Sequence, residues 1–203
     1  FLESVEGAIL ARVDALADTT KRVAAAASVH GRTFSQHAVE IALGVELPPD
    51  AVAQELQTLE AEGYIAVEET GALNVFSFSH ALVQEAIGES MTSTLRRDMN
   101  QRLSKWWAMQ SGPEAIQRRA RHLTQSLSPE ESDPEVLARV IEALEAAAHQ
   151  AASETANLEA SQFHQQALGV LERLPNTEHW RRKCLHLQVS KAYSLSLVRG
   201  YGD

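Results

Sequence analysis

The chain has 203 residues, of which 44% are hydrophobic and 5% aromatic, and its formal net charge is −9. This length allows one sizeable core or two small ones, and the negative charge argues against non-specific attraction to nucleic acid or to an anionic membrane. The single cysteine, Cys184, excludes an internal disulfide framework. Because no signal peptide and no apolar run near the ~20 residues of a membrane span are present, we expect a cytoplasmic protein. The chain begins at Phe1 without an initiator Met, and we expect it to be a piece of a longer protein.

Helical spacing of apolar residues predicts two helices before Gly31. The first would be lined by residues that recur on one face, namely Val5, Ile9, Leu10, Val13 and Leu16. Thr19 or Thr20 could cap the second, Ala-rich helix. Gly31 is expected to end it, because glycine tolerates the left-handed turn at a helix end.

Two further helices are predicted before Gly63. Ser35 can cap the third helix, which would end at Gly44. Asp50 is placed to cap the fourth, whose apolar face consists of Val52, Leu56 and Leu59.

Short β-type runs at 64–67 and 75–78, joined by the turn residues 68–71, then predict a hairpin. Helices followed by a hairpin are the order of a winged helix. Ser79 is a natural N-cap, and His80 would be the first residue of the next helix. Free N–H groups and the positive end of the helix dipole gather there, so His80 is a candidate for contact with a phosphate.

The rest of the chain predicts only helices. After the linker 128–134, where Ser132 and Glu135 have capping-box spacing, small residues form facing seams on two helices. The first seam contains Leu144, Ala147, Ala148 and Ala151, and the second contains Ala160, Phe163, His164, Ala167 and Leu171. The spacing resembles a tetratricopeptide repeat. We therefore predict a mainly α protein with a winged-helix domain at 1–91, connecting helices at 92–128, and the start of tetratricopeptide-like repeats at 129–203.

The charge pattern disfavours DNA binding by the winged helix. Lys and Arg, which supply most affinity for phosphates, do not occur between Thr33 and Leu95. Arg96 and Arg97 open a basic cluster on the following helices, whose other members are Arg102, Lys105, Arg118, Arg119 and Arg121. A solvated or salt-bridged face is the simplest interpretation of that cluster. The alternative is docking against the acidic winged helix or against another domain of the parent protein.

Motifs of catalysis and metal binding are missing. The sequence has no GxxxxGK[ST] phosphate loop and no HExxH, CxxC or GxSxG motif. We predict no catalytic residues, no metal site and no cofactor held by these residues. Single histidines on amphipathic helices, such as His122 and His164, are expected to be exposed or half-buried.

Three stretches resemble a known family. Residues 26–35 (AASVHGRTFS) are similar to an A-S-V-x-G-R-x-F stretch, residues 76–86 (FSFSHALVQEA) to an F-R-H-A-L-V-Q-E-A stretch, and residues 199–202 to a turn between helical repeats. All three occur in large signal-transduction ATPases of the STAND class, which are often fused to class III adenylate or guanylate cyclases or to transcriptional activators. Ser79 departs from the family pattern, in which Arg is common at that position, and His30 replaces an aliphatic residue.

The resemblance implies a role in regulation. Family members carry a P-loop ATPase domain, then a winged helix, then tetratricopeptide-like repeats, and this chain resembles the last two. In related members, the histidine that opens the helix after the wing contacts the phosphates of bound ADP. The resemblance therefore implies that His80, together with Ser79, senses the nucleotide phosphates in the parent protein. Arg32 lies in the matching first motif, and it joins Arg96 and Arg97 as a candidate for contact between domains.

The sequence thus predicts a non-catalytic regulatory fragment of a signalling ATPase. Its partners would be an upstream nucleotide-binding domain of the same chain, which would hold ADP or ATP, and a protein or small-molecule signal on the repeats. A nucleotide-independent scaffold for protein–protein interaction is the alternative, and a DNA-binding regulator is the third hypothesis.

Overall fold

The computed structural model describes residues 11–70 and 73–199. It is mainly helical with one small antiparallel sheet, as the sequence predicted. The chain divides into two compact units, of which the first extends to Leu103 and the second begins at Ser104. The division falls inside a helix, Ser93–Trp107. The domain limits at 91 and 128 stay predictions.

The first unit combines helices with the antiparallel sheet, and its last helix runs past Leu103. In chain order they are α1 (Asp18–His30), β1 (Thr33–Ser35), α2 (Gln36–Leu43), a 3₁₀ turn (Gly44–Glu46), α3 (Pro49–Ala61), β2 (Ile65–Thr70), β3 (Leu73–Phe78), α4 (Ala81–Ser90) and α5 (Ser93–Trp107). Residues 11–14 are also helical, and Val13 and Leu16 are buried. The other apolar residues of the predicted first helix, Val5, Ile9 and Leu10, lie outside the described residues, as do residues 200–202 of the third family motif.

The sheet has the order β1-β3-β2, with both pairings antiparallel. The predicted hairpin is confirmed, although β2 and β3 are longer than the apolar runs that indicated them. Strand β1 was not predicted, and it pairs Phe34 with Phe76. The Phe34 ring lies 5.8 Å from that of Phe76 and 5.4 Å from that of Phe78, so the strand brings three aromatic side chains together.

Three of the predicted helix limits are confirmed. The Ser35 hydroxyl accepts a hydrogen bond from the Ala38 N–H at 3.2 Å and caps α2. Gly31 and Gly44 follow the last residues of α1 and α2, and both have positive φ, at 133° and 72°. These conformations favour glycine because a Cβ would be strained there.

Two other predicted caps are wrong. Helix α1 begins two or three residues earlier than expected, after Ala17 instead of Thr19 or Thr20, and the Thr20 hydroxyl donates to Glu55 Oε2 at 2.6 Å instead of capping. Helix α3 begins at Pro49 rather than after Asp50. A proline at the first helical position loses no hydrogen bond and has the φ angle that a helix requires.

The second unit consists of successive helices joined by short loops. They are α6 (Pro113–Gln125), α7 (Pro134–Ser153), α8 (Asn157–Leu171) and α9 (Glu178–Arg199), and each packs on the next. Helix α7 is capped by the Asp133 carboxylate, which accepts from the Glu135 N–H at 2.9 Å, and not by Ser132. Arg173 Nη2 donates to the Ser128 carbonyl at 2.7 Å and so ties the preceding linker to the end of α8.

The core of the second unit is the predicted small-residue seam. The α7 members are fully buried, and so are Ala160 and Ala167 on α8. Small side chains let α7 and α8 approach closely. Phe163 on α8 is also buried in this core. His164 is half-buried as expected, whereas His122 on α6 is fully buried.

Candidate functional site

The N-terminus of α4 carries the candidate phosphate contact. Ser79 does not cap the helix, because its N–H donates to the Tyr64 carbonyl at 3.0 Å and holds it in the antiparallel ladder. His80 is therefore the N-cap residue, with extended backbone angles of −140° and 134°, and the helix starts at Ala81. The sequence placed this boundary one residue too early, since the propensity of serine for N-caps cannot account for pairing across the sheet.

The His80 side chain does not cap its own helix. Its side chain is exposed and makes no capping hydrogen bond to the first turn of α4, which contains no acidic residue. Its carbonyl accepts from the Val83 N–H at 3.1 Å. Ala81 and Leu82 come before Val83 in the first turn of the helix, and their N–H groups point toward the helix start. An anion at this end would meet N–H donors and an imidazole with no opposing carboxylate in the first turn.

Arg32 lies at the same end of the sheet. Its carbonyl accepts from the Phe78 N–H at 3.0 Å, one residue before Ser79, and its side chain is exposed. The backbone of Arg32 thus pairs with Phe78, so Arg32 precedes β1 at the end of the sheet where β3 leads into Ser79 and His80, although it is far from them in the sequence.

The other two predicted arginines lie elsewhere. Arg96 donates through Nη2 to the Gly88 carbonyl, at the C-terminal turn of α4, where a cation is favoured by the helix dipole. Arg97 is half-buried on α5. Their role in contact between domains stays a prediction.

A further arginine has a structural role that sequence analysis missed. Arg102 Nη1 donates to the carbonyls of Ala42 and Leu43, at 2.8 and 2.9 Å, and so caps the C-terminus of α2. A Cβ at Gly44 would lie 3.3 Å from the Arg102 guanidinium carbon. Nothing in the local sequence indicates this contact, because the two segments are about sixty residues apart.

The second unit contains a cluster of ionisable groups from three helices. Lys183 on α9 pairs with Glu145 on α7 at 2.6 Å. His164 on α8 lies within reach of the charges of Glu145 and His186, and its Nδ1 is buried without a hydrogen-bond partner. Burial lowers the pKa of His164 below its usual value, and His186 lowers it further, while Glu145 opposes the shift.

This shift makes stability depend on pH. Since the unfolded chain binds a proton near the ordinary value of about 6.5 and the folded chain binds it only at lower pH, the stabilisation is complete above that pH. The free energy of unfolding falls as the pH decreases from that value toward the pKa of His164 in the folded state, because the unfolded chain then binds a proton that the folded chain does not. We expect His164→Gln to flatten the decline in unfolding free energy between about pH 7 and pH 5. Urea unfolding followed by circular dichroism measures it.

The matched control is His149→Gln, which removes an exposed histidine from α7. This variant should keep the wild-type pH profile. If His164→Gln declines with pH as steeply as the wild type, burial of His164 is not the cause.

The described residues contain no metal cluster and no membrane-spanning helix. Within residues 11–70 and 73–199, no group of three or more His, Cys, Asp or Glu is arranged to hold a metal ion. Over the same residues no helix has both the length and the apolar character to cross a bilayer. Cys184 is half-buried on α9. Comparison of the chain with protein-family models, with curated proteins and with solved structures gives no match.

Proposed function

We propose that this chain is a non-catalytic regulatory region of a signalling ATPase, in which the first unit is a winged helix that packs on an upstream nucleotide-binding domain. The second unit begins a tetratricopeptide-like array that receives a protein or small-molecule signal. The observation that carries the proposal is the exposed N-terminus of α4, where His80 is the N-cap residue and makes no side-chain capping hydrogen bond.

The order of elements in the first unit supports a winged helix. Helices α1, α2 and α3 precede the β2–β3 hairpin, and the short strand β1 between α1 and α2 joins its sheet. The buried seam between α7 and α8, with Ala148 and Ala167 fully enclosed, supports a helical repeat. Both assignments rest also on the motif resemblance at residues 26–35 and 76–86.

The proposed mechanism is a switch between two states. With ADP bound upstream, the His80 imidazole donates a hydrogen bond to a phosphate oxygen and keeps the winged helix closed over the nucleotide. A signal on the second unit and exchange for ATP release it. Such a switch requires that His80 contact the nucleotide in one state and not in the other.

The experiment is to measure the nucleotide content of the full-length polypeptide that includes this chain, as wild type and as His80→Ala. We expect ADP to co-purify with the wild type and its affinity to fall at least about tenfold in the variant. The reason is the loss of a charge-assisted hydrogen bond worth roughly 1.5–3 kcal/mol.

His149→Ala, at an exposed position of the second unit, is the control and should retain ADP. Equal ADP content in wild type and His80→Ala would reduce His80 to a structural residue. A polypeptide that holds no nucleotide would favour the alternative function, a nucleotide-independent scaffold for protein–protein interaction.

The third hypothesis, a DNA-binding regulator, is disfavoured by charge. Helix α3, which would be the recognition helix, exposes Asp50 and Glu60, and Glu62 follows it. A duplex would meet carboxylates where phosphate contacts need cations. A salt-dependent shift of labelled duplex DNA by the chain would revive this hypothesis.

A further inference from the structure

One ion pair joins helix α9 to helix α7. Lys183 on α9 and Glu145 on α7 lie 2.6 Å apart, and their side chains are 30% and 23% exposed. Water screens a partly buried pair of this kind less than it screens a fully solvated one. Helix α8 packs on both α7 and α9. The ion pair therefore adds a contact that depends on charge to the packing that holds α9 in the second unit.

His164 on α8 belongs to the same group of side chains. It lies on the helix face of Ala160 and Ala167, four residues after the first and three before the second. Its Nδ1 atom is buried without a hydrogen-bond partner. The charges that act on it come from both neighbouring helices, from Glu145 on α7 and from His186 on α9.

The other titratable residues near this group are exposed to solvent. On α7 the residues one turn to either side of Glu145 are exposed, namely Glu142 and His149. On α9 a surface depression contains Lys183 and His186 together with three exposed residues, which are Glu178, His179 and Arg182. The last of these pairs with the first, in the same helix. Among the described residues, Glu145 is the carboxylate whose charge acts on His164.

Protonation of His164 sets up a competition for Glu145. A protonated imidazole donates from both ring nitrogens, and a buried donor without an acceptor is costly. We infer that protonated His164 takes Glu145 from Lys183, and that Lys183 and protonated His186 then repel His164, so that α9 detaches from α8. These four residues would form a pH-sensitive contact that releases one helix of the second unit in acid.

This release is local, and in that respect it differs from the loss of overall stability described above. The buried core residues on α7 and α8 are all apolar, so acid does not charge them. Helix α9 adds a smaller part of the core, with Leu187 buried and Trp180 and Cys184 partly buried against it. Weakly packed elements open before the rest of a domain, and we expect α9 to open first. The inference goes beyond the proposed function, since no nucleotide takes part.

The test is hydrogen exchange of the 203-residue chain at about pH 7.5 and about pH 5.5, with protection corrected for the intrinsic exchange rate at each pH. Folding makes protonation of His164 less favourable, so a fall in pH favours the open form. Peptides from α9 should lose protection at least about threefold in acid. The limit for one histidine with an ordinary pKa of about 6.5 is about tenfold over this range. Peptides from α7 should keep their protection.

Three variants identify the groups responsible. His164→Gln removes the titrating group and should give α9 nearly equal protection at the two pH values. His186→Gln removes one of the repelling charges and should reduce the loss in acid. His149→Gln, at an exposed position of α7, is the control and should retain the wild-type loss.

A titration of the histidines by nuclear magnetic resonance measures the competition directly. Glu145 opposes the downward shift of the His164 pKa, so Glu145→Gln should lower this pKa further. An unchanged value would overturn the inference, because Glu145 would then not be the acceptor for His164.

Three results of the exchange experiment would also overturn it. They are full protection of α9 in acid, equal loss of protection in α7 and α9, and a wild-type loss in His164→Gln. The comparison of α7 with α9 uses the wild type, so the inference stays testable even if a variant does not fold. None of these results bears on the ADP experiment with His80, and the two proposals fail separately.

Discussion

Replacing Phe34 with alanine is expected to lower the free energy of unfolding of the first unit by about 3–5 kcal/mol. The Phe34 side chain is 2% exposed and contacts the rings of Phe76 and Phe78. Its removal loses buried apolar surface and leaves a cavity between β1 and β3, which the paired backbone cannot easily close. Urea unfolding followed by far-ultraviolet circular dichroism measures the change, and hydrogen exchange of the β1–β3 peptides locates it.

Two companion variants make the result specific. Phe34→Leu should cost clearly less, because leucine keeps part of the contact. Val45→Ala removes methyl groups from a fully exposed residue of the same unit and should stay within about 0.5 kcal/mol of wild type. A small effect of Phe34→Ala would mean that the aromatic cluster does not hold β1 in the sheet.

Replacing Ala148 with leucine is expected to destabilise the second unit by about 3 kcal/mol, at the upper end of overpacking effects. Ala148 is fully buried on α7, and across the seam α8 presents Ala160, Phe163 and Ala167, which are also buried. Three extra carbon atoms do not fit at this close approach, so the helices must separate or the new side chain must adopt a strained rotamer. Thermal unfolding followed by tryptophan fluorescence reports it through Trp180, which packs against this core.

The control is Ala152→Leu, the same change at an exposed position of α7. Leucine has good helix propensity, so this variant should be nearly neutral. If both variants lose the same stability, the cause lies in α7 itself and the close packing of the seam is not responsible.

The sequence predicted those elements that are determined locally. Ser35 caps α2 because the donor, Ala38, is three residues away, and Gly44 ends the helix because of its own φ angle. The seam on α7 and α8 follows from helical periodicity. Strand β1 was missed because three residues are too few to reveal a period, and only its pairing with β3 makes it a strand.

The candidate site was predicted in its residues but not in its geometry. Ser79 has the side chain of an N-cap, yet the Tyr64 carbonyl keeps its N–H in the sheet. Arg102 looked like one member of a basic cluster, and its partners are the carbonyls of Ala42 and Leu43. In both cases a backbone group distant in the sequence determines the outcome, and local propensity contains no information about it.

The Arg102 cap also constrains how the protein is made. Helix α2 ends at Leu43, but the guanidinium that satisfies its last carbonyls belongs to a residue synthesised 59 positions later. At an elongation rate of roughly 5–20 residues per second, the ribosome needs several seconds to supply it. During that interval the end of α2 relies on water for its hydrogen bonds. A nascent chain released or stalled after the β2–β3 hairpin would therefore have an incomplete first unit, which is a natural target for chaperones and proteases.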